Sequence, residues 1–227
     1  METTIYADRD AKKEQNKQLT MTMQDFINAN AFCGRSRRRI KELFAGREAL
    51  SAIDVLELDI PDAHKLRAVL REELIPLQTL HMLAVEFARA ALVHEREAGR
   101  EPDERSWRAL DVKLAWLDGQ ASGKELNSAI ADAIAAADTA TNAAAAAAAD
   151  TTVRGTTVWA ARAASDAAWA AAKAASADAD AIVWAAAWNE WAGMSAARAA
   201  AWTEWDGMSA ARAEQVAIVK RMLGLAI

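Results

Sequence analysis

The C-terminal half of the chain combines tryptophan with alanine, and this pairing restricts the folds that the chain can adopt. Seven of the nine tryptophans lie between Trp159 and Trp205, where alanine is the most frequent residue. Alanine has the highest helix propensity, but its side chain buries little apolar surface. A segment of this composition therefore predicts long helices whose contact energy comes mainly from tryptophan.

Residues typical of β-strands are sparse along the 227-residue chain, and no stretch alternates clearly between apolar and polar side chains. We therefore predict an all-α fold. A multi-helix N-terminal bundle is followed by long alanine- and tryptophan-rich helices, which pack as a bundle or a hairpin. By composition the chain divides into a flexible tail at 1–20, a helical domain at 21–120 and an Ala/Trp-rich helical region at 121–227.

Capping residues, glycines and apolar spacing predict where the helices begin and end. In the first half, the predicted helices cover residues 24–34, 36–46, 47–58, a stretch that starts at Pro61, 77–97, and a stretch from Asp103 to Gly119. Ser122 and Glu125 form an S-x-x-E capping box, which predicts that an alanine-rich helix begins there and reaches Asp150. After the β-branched stretch 151–158, a last helical stretch runs to the C-terminus, with Gly193 and Gly207 as candidate break points.

The seven C-terminal tryptophans keep a common helical phase. At about 100° per residue they occupy one stripe that is about 100° wide, if the helix is continuous. The stripe contains two copies of one motif, because Trp188–Arg198 recurs as Trp202–Arg212 with the same Trp, Glu, Gly, Met and Arg positions. The duplication predicts that both copies contact the same kind of surface.

This stripe has two interpretations. It is the buried face of an amphipathic helix, or it is a surface that contacts another protein, because Arg162, Asp166 and Lys173 lie in the same arc and a dry core would exclude these charges. Trp and Arg are also enriched at binding hot spots. The second interpretation assigns six residues to a protein-binding surface: Trp188, Trp191, Arg198, Trp202, Trp205 and Arg212.

The sequence shows no pattern of catalytic or metal-ligating residues. His64, His81 and His94 lie apart, without the spacing of a zinc site, and the single cysteine, Cys33, has no base suggested beside it. No glycine-rich phosphate loop occurs. We therefore expect a protein that is not an enzyme and that carries no cofactor or metal.

The composition predicts a cytoplasmic location. A single cysteine excludes an internal disulfide, as is usual in a reducing compartment. Residues 1–22 lack an apolar signal core, and the longest alanine run, Ala143–Ala149, is much shorter than the roughly 20 residues that span a bilayer. We expect no membrane anchor.

A basic cluster favours a different function. Five basic side chains lie close together at the start of a predicted helix: Arg35, Arg37, Arg38, Arg39 and Lys41. They are suited to contact phosphates, so a nucleic-acid-associated regulator is the alternative function. A solvated or salt-bridged helix face also explains this cluster, because no aromatic residue interrupts it and the net charge of the chain is −5.

A further series of features occupies residues 85–150 and ends in the long alanine-rich helix predicted above. In order they are Val85–Leu92 (VEFARAAL), Glu101–Arg105 (EPDER), Trp107–Asp111 (WRALD), Trp116–Gly119 (WLDG) and Ser122–Leu126 (SGKEL). This order resembles the alanine-rich immunity-protein class of bacterial polymorphic toxin systems, which has similar members in phages and prophages. The resemblance implies a protein that binds and blocks a bacterial protein effector or defence component, either as an immunity protein or as a phage-encoded counter-defence factor. We also expect that the Ala/Trp helices are suited to form a homo-oligomer.

Overall fold

The computed structural model of the chain describes residues 19–30, 44, 46–150, 155–176, 181–199 and 204–225, and it confirms the predicted all-α class. In chain order the elements are β1 (Thr20–Thr22), α1 (Met23–Asn30), β2 (Ala49–Ser51), α2 (Ala52–Glu57), α3 (Asp62–Val69), α4 (Leu77–Glu97), α5 (Glu104–Leu117), α6 (Gly123–Ala149), α7 (Gly155–Ala175), α8 (Ala181–Ala199) and α9 (Glu204–Met222). Residues 1–18 of the tail predicted over 1–20 and most of the helix predicted over 36–46 lie outside the described residues. The end of the predicted tail is wrong, because Thr20 pairs with Ser51 as the first residue of β1.

The helix predicted over 47–58 is wrong in its first turn. β1 and β2 form a two-stranded antiparallel sheet, in which Met21 is opposite Leu50 and both side chains are buried. Ser51 ends β2 with an extended backbone and is also the N-cap of α2, because its hydroxyl accepts the backbone N–H of Asp54. The Asp54 carboxylate accepts the Ser51 N–H in return. This capping box starts the helix at Ala52 and leaves residues 49–51 free to pair as a strand.

Other predicted helix boundaries are confirmed. α4 has the predicted limits, and Pro61 and Asp103 are the N-cap residues of α3 and α5. At the start of α6, the Ser122 hydroxyl accepts the backbone N–H of Glu125, and the Glu125 carboxylate accepts the Ser122 N–H. These boundaries depend on hydrogen bonds between residues at most four apart, so the local sequence is sufficient to set them.

The chain forms two compact units. The first comprises Met1–Leu80 and Ala213–Ile227, and the second comprises His81–Arg212. The boundary that the composition places at residue 120 therefore lies inside the second unit and does not separate the two units. The last segment leaves the alanine-rich pattern and contributes larger buried side chains, such as Val219 and Leu223, to the core.

The core of the second unit is built largely from alanine. One cluster of buried alanines joins α5, α6 and α7: Ala109, Ala129, Ala133, Ala172 and Ala175. Trp169 packs against this cluster but remains partly accessible. Small side chains let helices approach closely, and their large neighbours are then placed at the margins of the contact.

A charged side chain also belongs to this core. Lys113 on α5 is fully buried, and its ammonium donates a 2.7 Å hydrogen bond to the backbone carbonyl of Ser176, just beyond the end of α7. The same ammonium lies 4.4 Å from the ring centre of Trp116. Because carbonyls at a helix C-terminus carry partial negative charge, this position stabilises the cation. Burial, with a further contribution from Lys113, holds the pKa of His81 below its usual value.

Gly193 and Gly207 were candidate break points, but both lie inside helices, α8 and α9. A Cβ atom added at Gly193 would lie 3.1 Å from the Cβ atom of Ala211 and 3.1 Å from the carbonyl oxygen of Gly207. The glycines of the two motif copies therefore meet where α8 and α9 pack together. Glu190 and Arg212 join the same two helices by an ion pair of 2.9 Å, and these contacts together indicate an antiparallel pair.

Candidate protein-binding surface

A continuous ridge of aromatic rings lies along α7 and α8. We call it the tryptophan ridge and define it by Trp169 and Lys173 of α7 and Trp184, Trp188 and Trp191 of α8. Trp169 stacks on Trp188 with ring centres 5.8 Å apart, and Trp188 meets the edge of Trp191 at 4.6 Å. The Lys173 ammonium lies 6.0 Å from the centre of Trp169 and 5.9 Å from that of Trp184.

The ridge follows from helical spacing and helix direction. Trp169 and Lys173 are four residues apart on α7, and the three tryptophans of α8 are separated by four and three residues, so each set lies on one helix face. The contacts Lys173–Trp184 and Trp169–Trp188 show that the two helices run antiparallel. Buried alanines beside these positions, among them Ala170 and Ala185, keep the two helices close.

The tryptophans of the ridge differ in accessibility. Trp184 and Trp191 are 47% and 41% exposed, whereas Trp169 and Trp188 are half-buried. The Trp169 Nε1–H donates to the Thr141 hydroxyl oxygen at 3.1 Å. The buried Trp188 Nε1 has no hydrogen-bond partner in the described part of the chain. The ridge thus combines two anchored indoles with two that present their rings to solvent.

The six predicted protein-binding residues have different positions. Trp188 and Trp191 lie on the ridge, but Arg212 is engaged in the ion pair with Glu190, and both of these side chains are largely buried. Trp202 and the side chains of Arg198 and Trp205 lie outside the described residues, as do Arg35, Arg37, Arg38, Arg39 and Lys41. α7, α8 and α9 are separate helices, so the continuous phase on which the stripe was based does not extend across 176–181 or 199–204.

The set of predicted residues omitted Trp169, Lys173 and Trp184, which the structure places on the ridge. The spacing of three and four residues within each helix was a signal for them. The antiparallel pairing of α7 with α8 was not visible in the sequence, because a helix-by-helix pattern contains no information on which helices are neighbours.

A buried polar group lies beside the ridge. The Asp166 carboxylate accepts a 2.8 Å hydrogen bond from the Ser195 hydroxyl, which joins α7 to α8. Burial raises the pKa of Asp166 to about 6, although the Ser195 hydrogen bond and the charge of Arg162 act in the opposite direction. Glu95 adds a smaller repulsion that also raises it. Glu95 itself is buried, and its two carboxylate oxygens accept hydrogen bonds of 2.7 Å from Nε and Nη2 of Arg100.

The described residues contain no cluster of three or more His, Cys, Asp or Glu side chains that could hold a metal ion. No helix among them combines the length and the apolar character needed to cross a membrane. Asn189 of α8 is buried and donates to the backbone carbonyl of Phe87 at 2.8 Å, so the side of α8 away from the ridge has a structural role. No family model, curated protein or solved structure matches the chain.

Proposed function

We propose that this chain is a non-enzymatic inhibitor that binds a bacterial protein effector or defence component stoichiometrically, through the tryptophan ridge. The observation that carries the proposal is the exposure of Trp184 and Trp191, which lie about two turns apart on the same face of one helix. Exposed clusters of large apolar side chains are typical of interaction sites. Tryptophan is the residue type most enriched among those that dominate binding energy.

The ridge is also held in place before any partner arrives. Trp188 is fixed between Trp169 and Trp191, and Trp169 is fixed by Thr141. Side chains that are ordered in the free protein lose less conformational entropy on binding. A surface whose side chains are already ordered is better suited to tight binding than a mobile loop, because less entropy is lost when the partner binds. The resemblance of residues 85–150 to immunity proteins of toxin systems supports the same function, in either its immunity or its counter-defence version.

The test is to capture partners from a bacterial lysate with the wild-type chain and with the double variant Trp184→Ala/Trp191→Ala. The affinity of the captured protein is then measured with both. Loss of two hot-spot side chains of about 2 kcal/mol or more each should weaken binding about 700-fold or more, if the two losses add. The matched control is Ile134→Ala, which shortens an exposed apolar side chain on α6. Equal capture by wild type and double variant would exclude the ridge as the binding surface.

The same preparation tests the homo-oligomer expected from the Ala/Trp helices. Sedimentation of the wild type should show an oligomer that the double variant does not form, if a second copy occupies the ridge. A monomeric wild type that binds its partner one to one supports the inhibitor function without self-association.

The alternative function, a nucleic-acid-associated regulator, rests on the run from Arg35 to Lys41. If this basic run binds nucleic acid through phosphate contacts, the retention of DNA or RNA in a gel should weaken steeply as the salt concentration increases. Charge-neutral substitutions in this run should abolish retention. Absence of retention at low salt would exclude this alternative.

A further inference from the structure

We propose that the partner presents an acidic surface to the tryptophan ridge, with carboxylates that pair with Lys173 and Arg162 and apolar side chains that cover Trp184 and Trp191. This inference rests on the proposed function, because it specifies the chemistry of the protein that the ridge binds. The observations that carry it are the position of two cations on α7 and the absence of an ion pair between either of them and a carboxylate of the described residues.

Lys173 is the first of these cations. Its ammonium lies about equally far from two indoles, at 6.0 Å and 5.9 Å, and it makes no ion pair with a described carboxylate. The side chain is half-buried in the ridge. A carboxylate of a partner that reached this ammonium would be screened from water by the two rings, which strengthens the ion pair relative to one on an open surface.

Arg162 is the second cation, and it lies on the same face of α7. It is exposed, its guanidinium lies 5.3 Å from the ring centre of Trp159, and it too makes no ion pair among the residues described. The other arginines of the second unit whose side chains are described differ in this respect, since each of them has a carboxylate within 4 Å: Arg89, Arg96, Arg100, Arg105, Arg108 and Arg212. Lys124 of α6 also makes no ion pair in the described part of the chain, but Arg162 and Lys173 are the pair that lies on one face of α7 beside the ridge tryptophans.

The spacing of the two cations defines what fits them. They are eleven residues apart, close to three helical turns, which is about 16 Å at 1.5 Å per residue. A partner helix that lies along α7 would match them with two acidic residues that are also eleven positions apart. Leucine or similar side chains between these carboxylates would then cover the exposed rings.

A single-stranded nucleic acid is the competing ligand, because stacked bases and phosphates also suit aromatic and basic side chains. The position of Asp166 argues against it. This residue lies on the same face of α7 between the two cations, close enough to Arg162 for their charges to interact. A single strand carries a phosphate on every nucleotide and would place several of them across Asp166. Two carboxylates of a partner helix, about 16 Å apart, would instead lie on either side of Asp166, one at each cation.

The test uses the full chain and three synthetic helical peptides of about 18 residues, long enough to span two positions eleven residues apart. They share a leucine face and carry Glu, Gln or Lys at the two matching positions. A thymidine oligonucleotide of about 12 nucleotides is the fourth probe, because stacking on aromatic rings tolerates any base. Tryptophan fluorescence reports binding. At low salt the Glu peptide should bind at least about ten-fold more tightly than the Gln and Lys peptides, and this preference should diminish in high salt.

Charge reversal provides the second arm. Arg162→Glu/Lys173→Glu should reverse the order, so that the Lys peptide binds most tightly, while Lys124→Glu on the exposed face of α6 should leave the order unchanged. Circular dichroism and melting confirm that each variant is folded. Affinities of the three peptides within two-fold of one another, no binding of any peptide, or preferential binding of the oligonucleotide would each overturn the acidic partner.

These failures are separable from failure of the proposed function. If the Gln peptide binds as well as the Glu peptide and Trp184→Ala/Trp191→Ala removes both, the ridge is still a protein-binding surface and only its preference for acidic partners is wrong. If lysate capture does not depend on the two tryptophans, the proposed function itself is wrong.

Discussion

At the scale of single residues, Asp166 is held where burial favours its neutral form. Its pKa of about 6 lies above the ordinary value of 3.8, despite the Ser195 hydrogen bond. A carboxyl whose pKa is higher in the folded than in the unfolded state stabilises the fold while it is protonated. This contribution is complete below about pH 3.8 and is lost as the pH rises through about 6.

Asp166→Asn should therefore change stability in a pH-dependent way. Asparagine stays neutral, so the variant should gain stability relative to the wild type between pH 4 and pH 8, by about 1–3 kcal/mol, since one pKa unit corresponds to about 1.4 kcal/mol. Denaturant unfolding at the two pH values measures the gain. Asp138→Asn, on the exposed face of α6, controls for the removal of one negative charge. If the difference in the free energy of unfolding between Asp166→Asn and the wild type is the same at both pH values, the raised pKa of Asp166 is contradicted.

At the scale of elements, the contact between α8 and α9 depends on the absence of side chains. Gly193 lies against Gly207 and Ala211, and the tightest distances from an added Cβ atom are 3.1 Å. Glycine is unfavourable inside a helix by about 1 kcal/mol relative to alanine. Its presence at the same position of both motif copies is therefore explained by close helix packing and not by helix formation.

Gly193→Leu should separate these two effects. Leucine has high helix propensity, so an isolated helix would gain stability, but the added side chain meets the backbone of α9 and overpacking typically costs about 1–3 kcal/mol. We expect a lower melting temperature. Gly123→Leu is the matched control, because a Cβ atom there meets nothing within 4 Å. A Gly193→Leu variant that melts at or above the wild-type temperature would show that α8 and α9 can move apart without loss.

At the scale of the whole molecule, the last residues of the chain belong with its beginning. Residues 213–227 group with Met1–Leu80, although residues 213–222 belong to α9, whose first residues, 204–212, are part of the second unit. Leu223 is fully buried, as are Val55 and Leu56 of α2. The described C-terminal segment thus contributes large apolar side chains to the core of the first unit, while the alanine-rich helices form the core of the second.

Leu223→Ala should weaken the first unit more than the second. Removing a fully buried leucine side chain typically costs about 2–5 kcal/mol. Backbone hydrogen exchange should accelerate in α2 more than in α6, since α2 lies in the first unit and α6 in the second. The exposed Leu77→Ala controls for loss of a leucine without loss of core packing. Equal acceleration in both helices would mean that the two units unfold together.

The candidate site was predictable only in part. Trp188 and Trp191 were recognised because tryptophan on an alanine-rich helix has an identifiable phase, and this reasoning needs no knowledge of neighbouring helices. Trp184 and Lys173 follow the same spacing, but their pairing depends on the antiparallel contact of α7 with α8. Arg212 was assigned to binding, yet it forms an ion pair with Glu190 that no local pattern could reveal.

The sequence by itself determined the all-α class, the limits of α4 and the capped starts of α3, α5 and α6, because these depend on backbone propensity and hydrogen bonds between near neighbours. The tertiary structure decided the rest. Lys113 is buried and donates to the carbonyl of Ser176. Gly193 and Gly207, the candidate break points, lie in contact where α8 packs on α9. Residues 49–51 pair with 20–22 as a strand. Each of these involves partners distant in sequence, whose proximity is set by which faces pack together to exclude water.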